Sequence, residues 1–215
     1  MDLSHAFLYG LIQGLAEFLP ISSSGHLALL PHFFNITDPG VAFDLFMHVG
    51  TALSVLIYFR QEVSKLLKNS LTIFSKNADP FTRNFAISTF VTLIFVLLFK
   101  DIAEEWGRQP RVIAANLIIF GFILMISDRS KSDQDKTFSS KRSSHLKDAI
   151  LMGLAQGIAI FPGVSRSGST ITMGRFLHYS KREASSFSFL LSLPLILGGM
   201  VFKAKDLFEA EASST

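Results

Sequence analysis

Glu17, Ser22, Ser23, Ser24, His26 and Arg166 carry reactive side chains within two otherwise apolar stretches. An ionisable group in such a stretch is costly unless it faces a polar cavity or a partner. Together these types suit phosphoryl transfer. A serine attacks phosphorus only if a base takes its proton, and an imidazole held by a carboxylate does this near neutral pH. Charge developing on the equatorial phosphate oxygens must be met by preorganised donors, here Arg166 and backbone N–H groups. A phosphate ester could also bring a divalent cation, Mg2+ or Ca2+, with Glu17 as its hard-oxygen ligand. The sequence leaves open whether Glu17 binds a metal or orients His26. Each residue also has a plainer use taken singly: serines cap helices, a histidine sits near a helix end, an arginine pairs with a carboxylate.

What argues against a coincidence is where the residues lie. The segment Gly10 to Gly25 is matched without a gap by Gly153 to Gly168, 143 positions on, with nine identical pairs that include Gly10, Gln13, Gly14, Phe18, Ser22, Ser24 and Gly25. The mismatches divide the chemistry: Glu17 faces Ile160, Ser23 faces Arg166, and His26 faces Ser169. One copy holds the reacting groups and the other a fixed cation.

Each copy is an apolar run broken by proline, glycine and serine, at Leu19 to Gly25 and at Phe161 to Gly168. A continuous helix does not cross such a break, and irregular backbone at membrane depth survives only inside protein or along a wet cavity. The pattern predicts two re-entrant helical hairpins, with Ser22 to Ser24 and Ser165 to Ser167 capping the second helix of each. Their N-termini would point positive dipole ends at a shared anion site.

The surrounding chain must hold these hairpins in a bilayer. Of 215 residues 49% are apolar and 22 are phenylalanine, with mean hydropathy +0.40, too greasy for an ordinary soluble domain. Apolar runs at about Val41 to Phe59, Phe85 to Phe99, Val112 to Ile126 and Phe187 to Phe202 predict about four spanning helices, two of them short. The fold class is therefore all-α, a polytopic integral membrane protein. Cysteine is absent, which removes disulfides and thiolate metal sites. The net charge of +3 sits in loops and forms no basic stripe with exposed aromatics, so no nucleic-acid partner is expected. The start, Met1 to His5, lacks the basic region of a cleavable signal, so the first apolar segment is expected in the mature fold.

If neither hairpin crosses, the three spans between them invert the second relative to the first. Thirteen basic residues then fall on one side, from Arg60 to Arg83, Arg129 to Lys147 and Lys181 to Arg182. Five fall on the other, at Lys100, Arg108, Arg111, Lys203 and Lys205. That bias makes the first side cytoplasmic and opens the first hairpin to the outside. The chain divides into a first repeat at 1–127, a polar and mobile cytoplasmic linker at 128–145, and a second repeat at 146–215. The second repeat holds one span where the first holds three, two helices short, which implies either a partner that supplies the missing packing surface or a chain that acts only as a scaffold. Gly198 and Gly199 allow close helix contact, including contact with a second copy in a homo-oligomer.

Leu15 to His26 and Pro162 to Gly168 resemble the two signature segments of the bacterial undecaprenyl-pyrophosphate phosphatases, the bacitracin-resistance protein family. His48 to Thr51 and Phe187 to Pro194 also fit its flanking helices, and the resemblance covers essentially the whole chain. It implies an enzyme of the bacterial inner membrane with an outward-facing site. The enzyme would cleave the C55 lipid pyrophosphate to the monophosphate carrier used in peptidoglycan synthesis and so confer bacitracin resistance. By motif position Ser23 would be the nucleophile, His26 the base and then the acid, Glu17 the partner of His26 or of a cation, and Arg166 the pyrophosphate clamp. Gln13, Ser22, Ser24, Gly25, Ser165, Ser167, Gly168 and Thr170 would bind substrate. Many members have glutamate where this chain has Gln13, so any cation site here has one charge fewer. Inverted repeats with broken helices also suit a transporter or flippase of the same lipid.

Overall fold

The computed structural model describes residues 3–34, 41–75, 77–107, 109–133, 136–139 and 146–212. Lys76, Arg108, Lys141 and Arg142 of the basic loops lie outside them. The described chain is all helix, in the order α1 (Leu3–Ala16), α2 (Ser23–Phe34), α3 (Val41–Tyr58), α4 (Arg60–Ser70), α5 (Pro80–Glu105), α6 (Pro110–Asp128), α7 (Leu146–Ile158), α8 (Arg166–Phe176) and α9 (Lys181–Ala212).

Both predicted breaks are real, between α1 and α2 and between α7 and α8. Among the described residues three helices are long and apolar enough to span a bilayer: α5, α6 and residues Lys181–Val201 of α9. The fourth predicted span is α3, whose apolar described stretch is the shorter Phe46–Tyr58. The short Phe85 run extends in both directions because its polar flanks are also helical. Pro80 occupies the first turn, and the Asp79 carboxylate accepts from the Thr82 N–H at 2.9 Å and from its hydroxyl at 2.7 Å. The resulting 26 residues reach roughly 39 Å.

Many large apolar side chains point outward, while polar ones bond between the helices. Leu3, Phe7, Leu11 and Leu15 form an exposed stripe on α1, and Ile118, Ile119, Phe122, Met125 and Ile126 do so on α6. Between the helices, Ser88 Oγ donates to the Ala149 carbonyl, Thr92 Oγ1 to Gly153, and Gln156 Nε2 to Leu191. The last of these bonds ties α7 to α9 in the turn before Pro194, where the proline removes the N–H that the Leu190 carbonyl would have taken. Helix α7 approaches α5 through Gly153 and Gly157: an added Cβ would lie 2.6 Å from the Ser88 carbonyl oxygen at the first and 2.6 Å from Phe95 at the second. Their repeat counterparts Gly10 and Gly14 meet nothing within 4 Å.

Two elements depart from expectation. Helix α4 lies in a stretch read as a basic loop; Leu66 is buried while Lys65, Leu67 and Lys68 are exposed, an amphipathic pattern hidden by low hydropathy. The linker, expected to be mobile, is anchored at Ser130, Lys136 and Phe138. Phe138 is fully buried, stacked between Tyr179 and Phe187 with ring centroids at 3.8 and 3.9 Å. Lys136 Nζ reaches Asp148 at 2.8 Å and the Leu177 carbonyl at 2.7 Å, and the Tyr179 hydroxyl donates to Asp148 at 3.0 Å. Arg175 donates to the Ser130 carbonyl. One aromatic residue in a polar stretch supplies enough buried area to hold the segment.

Candidate active site

The two hairpin tips meet. Ser22 and Ser165, equivalent in the repeat, both hold positive φ, 67° and 66°, where L residues are strained. Each turns the chain so that its hydroxyl caps the following helix: Gly25 N–H donates to Ser22 Oγ at 3.3 Å and Gly168 N–H to Ser165 Oγ at 3.0 Å. The predicted capping is thus carried by the first serine of each triplet. Ser167 Oγ donates across the tips to the Leu19 carbonyl at 3.1 Å, and Asn116 of α6 holds the Pro162 carbonyl at 2.8 Å. Gly163 sits at φ +90°, and a Cβ there would lie 2.5 Å from the Ile113 carbonyl oxygen.

Glu17 is the hub. Its Oε2 accepts from Ser23 Oγ at 2.7 Å and from Gln13 Nε2 at 3.0 Å, while its Oε1 meets Arg166 Nη2 at 2.5 Å. Arg166 is steadied from behind by the Ser188 carbonyl at 3.2 Å. Glu17 and Ser23 are both buried. They line a cavity of about 330 Å³ with Ser22, Ser24, His48, Ser165, Arg166 and Ser167 on the polar side. Ala16, Ala159, Leu195, Ile196 and Gly199 form the apolar side. Ser23 and Arg166 each occupy the first position of a helix, α2 and α8, so two positive helix ends face this space.

Glu17, Ser23 and Arg166 therefore meet as predicted, and Gln13, Ser22, Ser24, Ser165 and Ser167 surround them. Gly25 and Gly168 spend their N–H groups on the caps, leaving these donors engaged before any ligand arrives. Thr170 is buried behind the site, donating to the Arg166 carbonyl at 2.8 Å and lying 2.6 Å from Ser188 Oγ, a brace for α8 and α9. The structure does not bring His26 to Glu17. Its side chain is exposed, and its Nδ1 donates to the Ser22 carbonyl 2.8 Å away, one turn back along α2.

The histidine at the site is His48 of α3, with Nε2 3.5 Å from Glu17 Oε2. It lies outside the repeated window, but the reasoning that singled out Glu17, an ionisable group inside an apolar run, applies equally to it.

Among the residues lining the cavity, Glu17 is the one carboxylate that could hold a divalent cation. Both Glu17 oxygens are occupied, one of them by a guanidinium, and among the described residues no group of three His, Cys, Asp or Glu could hold a metal. A hard cation needs several oxygen ligands, and neighbouring charge from Arg166 opposes it.

The family model for bacitracin resistance protein BacA matches residues 6–215. The undecaprenyl-diphosphatase of Elusimicrobium minutum is 40% identical over 98% of this chain and 79% of its own length. That of a Nocardioides species is 40% identical over 96% and 76%, and that of Campylobacter concisus 39% identical over 93% and 76%.

Proposed function

The chain belongs to the bacitracin resistance protein BacA family, and from that premise we propose that it hydrolyses undecaprenyl pyrophosphate to undecaprenyl phosphate and inorganic phosphate. This activity would return the lipid carrier to peptidoglycan synthesis and underlie bacitracin resistance. One observation carries the reading: a serine hydroxyl donating at 2.7 Å to a buried carboxylate, beside an arginine, in a cavity with one polar and one apolar side. The polar side suits a pyrophosphate and the apolar side the first isoprene units of its chain.

In the mechanism Ser23 Oγ attacks the terminal phosphorus as its proton passes to Glu17, the acceptor it already faces. The anhydride P–O bond breaks and the lipid monophosphate leaves with the bonding pair. Arg166 shares its charge between Glu17 and the phosphoryl oxygens, aided by the N-termini of α2 and α8. Water then attacks the phosphoserine, and Ser23 Oγ recovers a proton. Glu17 thus takes the base role that motif position gave to His26. A divalent cation would enter on the pyrophosphate oxygens, as part of the substrate.

The active site is read as facing the outer side of the inner membrane, with the basic loops cytoplasmic. A cysteine placed at Ser132 in this cysteine-free chain should then label only from the cytoplasm. A transporter of the same lipid has no need for a Ser23 hydroxyl aligned on a carboxylate, and an inert scaffold has no need for the assembled set. The deciding experiment is phosphate release from undecaprenyl pyrophosphate by the purified chain and by Ser23→Ala. The intact chain should form phosphate and lipid monophosphate in equal amounts, and the variant should bind lipid but release none. Lipid movement between leaflets without phosphate release would favour the transporter.

A further inference from the structure

The placement of His48 against Glu17 bears on where the reaction's proton goes, given the hydrolysis proposed above. Splitting a pyrophosphate into two monophosphates near neutral pH releases about one proton, because the second ionisation of a phosphate lies near 6. That proton first reaches Glu17, which is only 7% exposed. It must leave before the carboxylate can help water attack the phosphoserine. Gln13 is a neutral amide, Arg166 stays charged, and Ser23 is then a phosphoester, so none of these neighbours can accept it. His48 is 27% exposed and spans from Glu17 to the open cavity. We propose that His48 Nε2 takes the proton from Glu17 and passes it to cavity water, a relay acting through Glu17 rather than on phosphorus. Glu17 and Arg166 are the charged groups lining the cavity with His48; the remaining lining residues are neutral, and those of α9 are apolar.

The relay needs neutral imidazole, so kcat of the unaltered chain should fall as the medium is acidified. His48→Gln keeps a polar group of similar reach but cannot carry the proton. Its plateau kcat should drop at least about tenfold with KM nearly unchanged, and the acid limb should disappear. His48→Ala should regain activity with added imidazole, which separates lost proton transfer from lost packing. His26→Gln should retain the acid limb. A His48→Gln enzyme with the limb and plateau intact would overturn the inference alone, as would a His48→Ala enzyme that imidazole does not rescue. If the unaltered chain releases no phosphate, the proposed hydrolysis and the relay fail together.

Discussion

Arg166 Nη2 lies 2.5 Å from Glu17 Oε1, a contact between residues 149 positions apart that joins the tips of two hairpins of related sequence. The pair serves both fold and site. It neutralises a buried carboxylate, and it leaves other guanidinium donors for an incoming phosphate.

Removing one partner strands the other charge in a buried setting, at a cost of about 3–5 kcal/mol. Arg166→Ala should therefore lower thermal stability in detergent as well as abolish phosphate release. The exchange Glu17→Arg with Arg166→Glu restores opposite charges across the tips. It should recover part of the stability and none of the activity, since Ser23 would then face a cation. Recovery of turnover in the exchanged protein would show that the pair acts only by joining the hairpins.

The glycines of the two repeats should respond differently to the same change. Gly153→Ala and Gly157→Ala force α7 away from α5, where added Cβ atoms meet the Ser88 carbonyl and Phe95, and overpacking of this kind costs about 1–3 kcal/mol. Gly10→Ala and Gly14→Ala add atoms to open space and should leave the melting temperature nearly unchanged. Equal losses in the four variants would mean that the face of α1 is covered.

The linker clamp predicts a distinct phenotype. Phe138→Ala empties the stack between Tyr179 and Phe187 and should destabilise by about 3–5 kcal/mol, with protease sensitivity appearing near the linker. Burial, then the Asp148 carboxylate, push the Tyr179 phenol above its usual range. The folded state thus holds this proton more tightly than the unfolded chain. Its stabilisation is complete below about pH 10 and is lost as pH rises further. Tyr179→Phe should blunt that alkaline loss; an identical alkaline profile would count against the burial of the phenol.

The membrane class, both hairpins, the serine caps and the Glu17–Arg166 meeting were legible because each leaves a local mark: an apolar run, a proline or serine break, a matched repeat. His26 lies apart from Glu17 because motif spacing places a residue along α2 without saying which way its ring turns; here a carbonyl one turn back holds it. His48 carries the same mark as Glu17, an ionisable group in an apolar run, but its meeting with Glu17 follows only from the packing of α3 beside α1. Phe138 was hidden by polar neighbours, since composition averages over the one side chain that reaches the core.

The central claim is that Ser23 attacks phosphorus with Glu17 as its base. It is tested most directly by quenching the purified chain during turnover of undecaprenyl pyrophosphate and sequencing the Ser23 peptide by mass spectrometry. Phosphate should be found on Ser23, transiently in the unaltered chain and never in Glu17→Gln, whose amide cannot accept the serine proton. Vigorous phosphate release with no phosphoserine at any quench time would contradict it and point to direct attack by water.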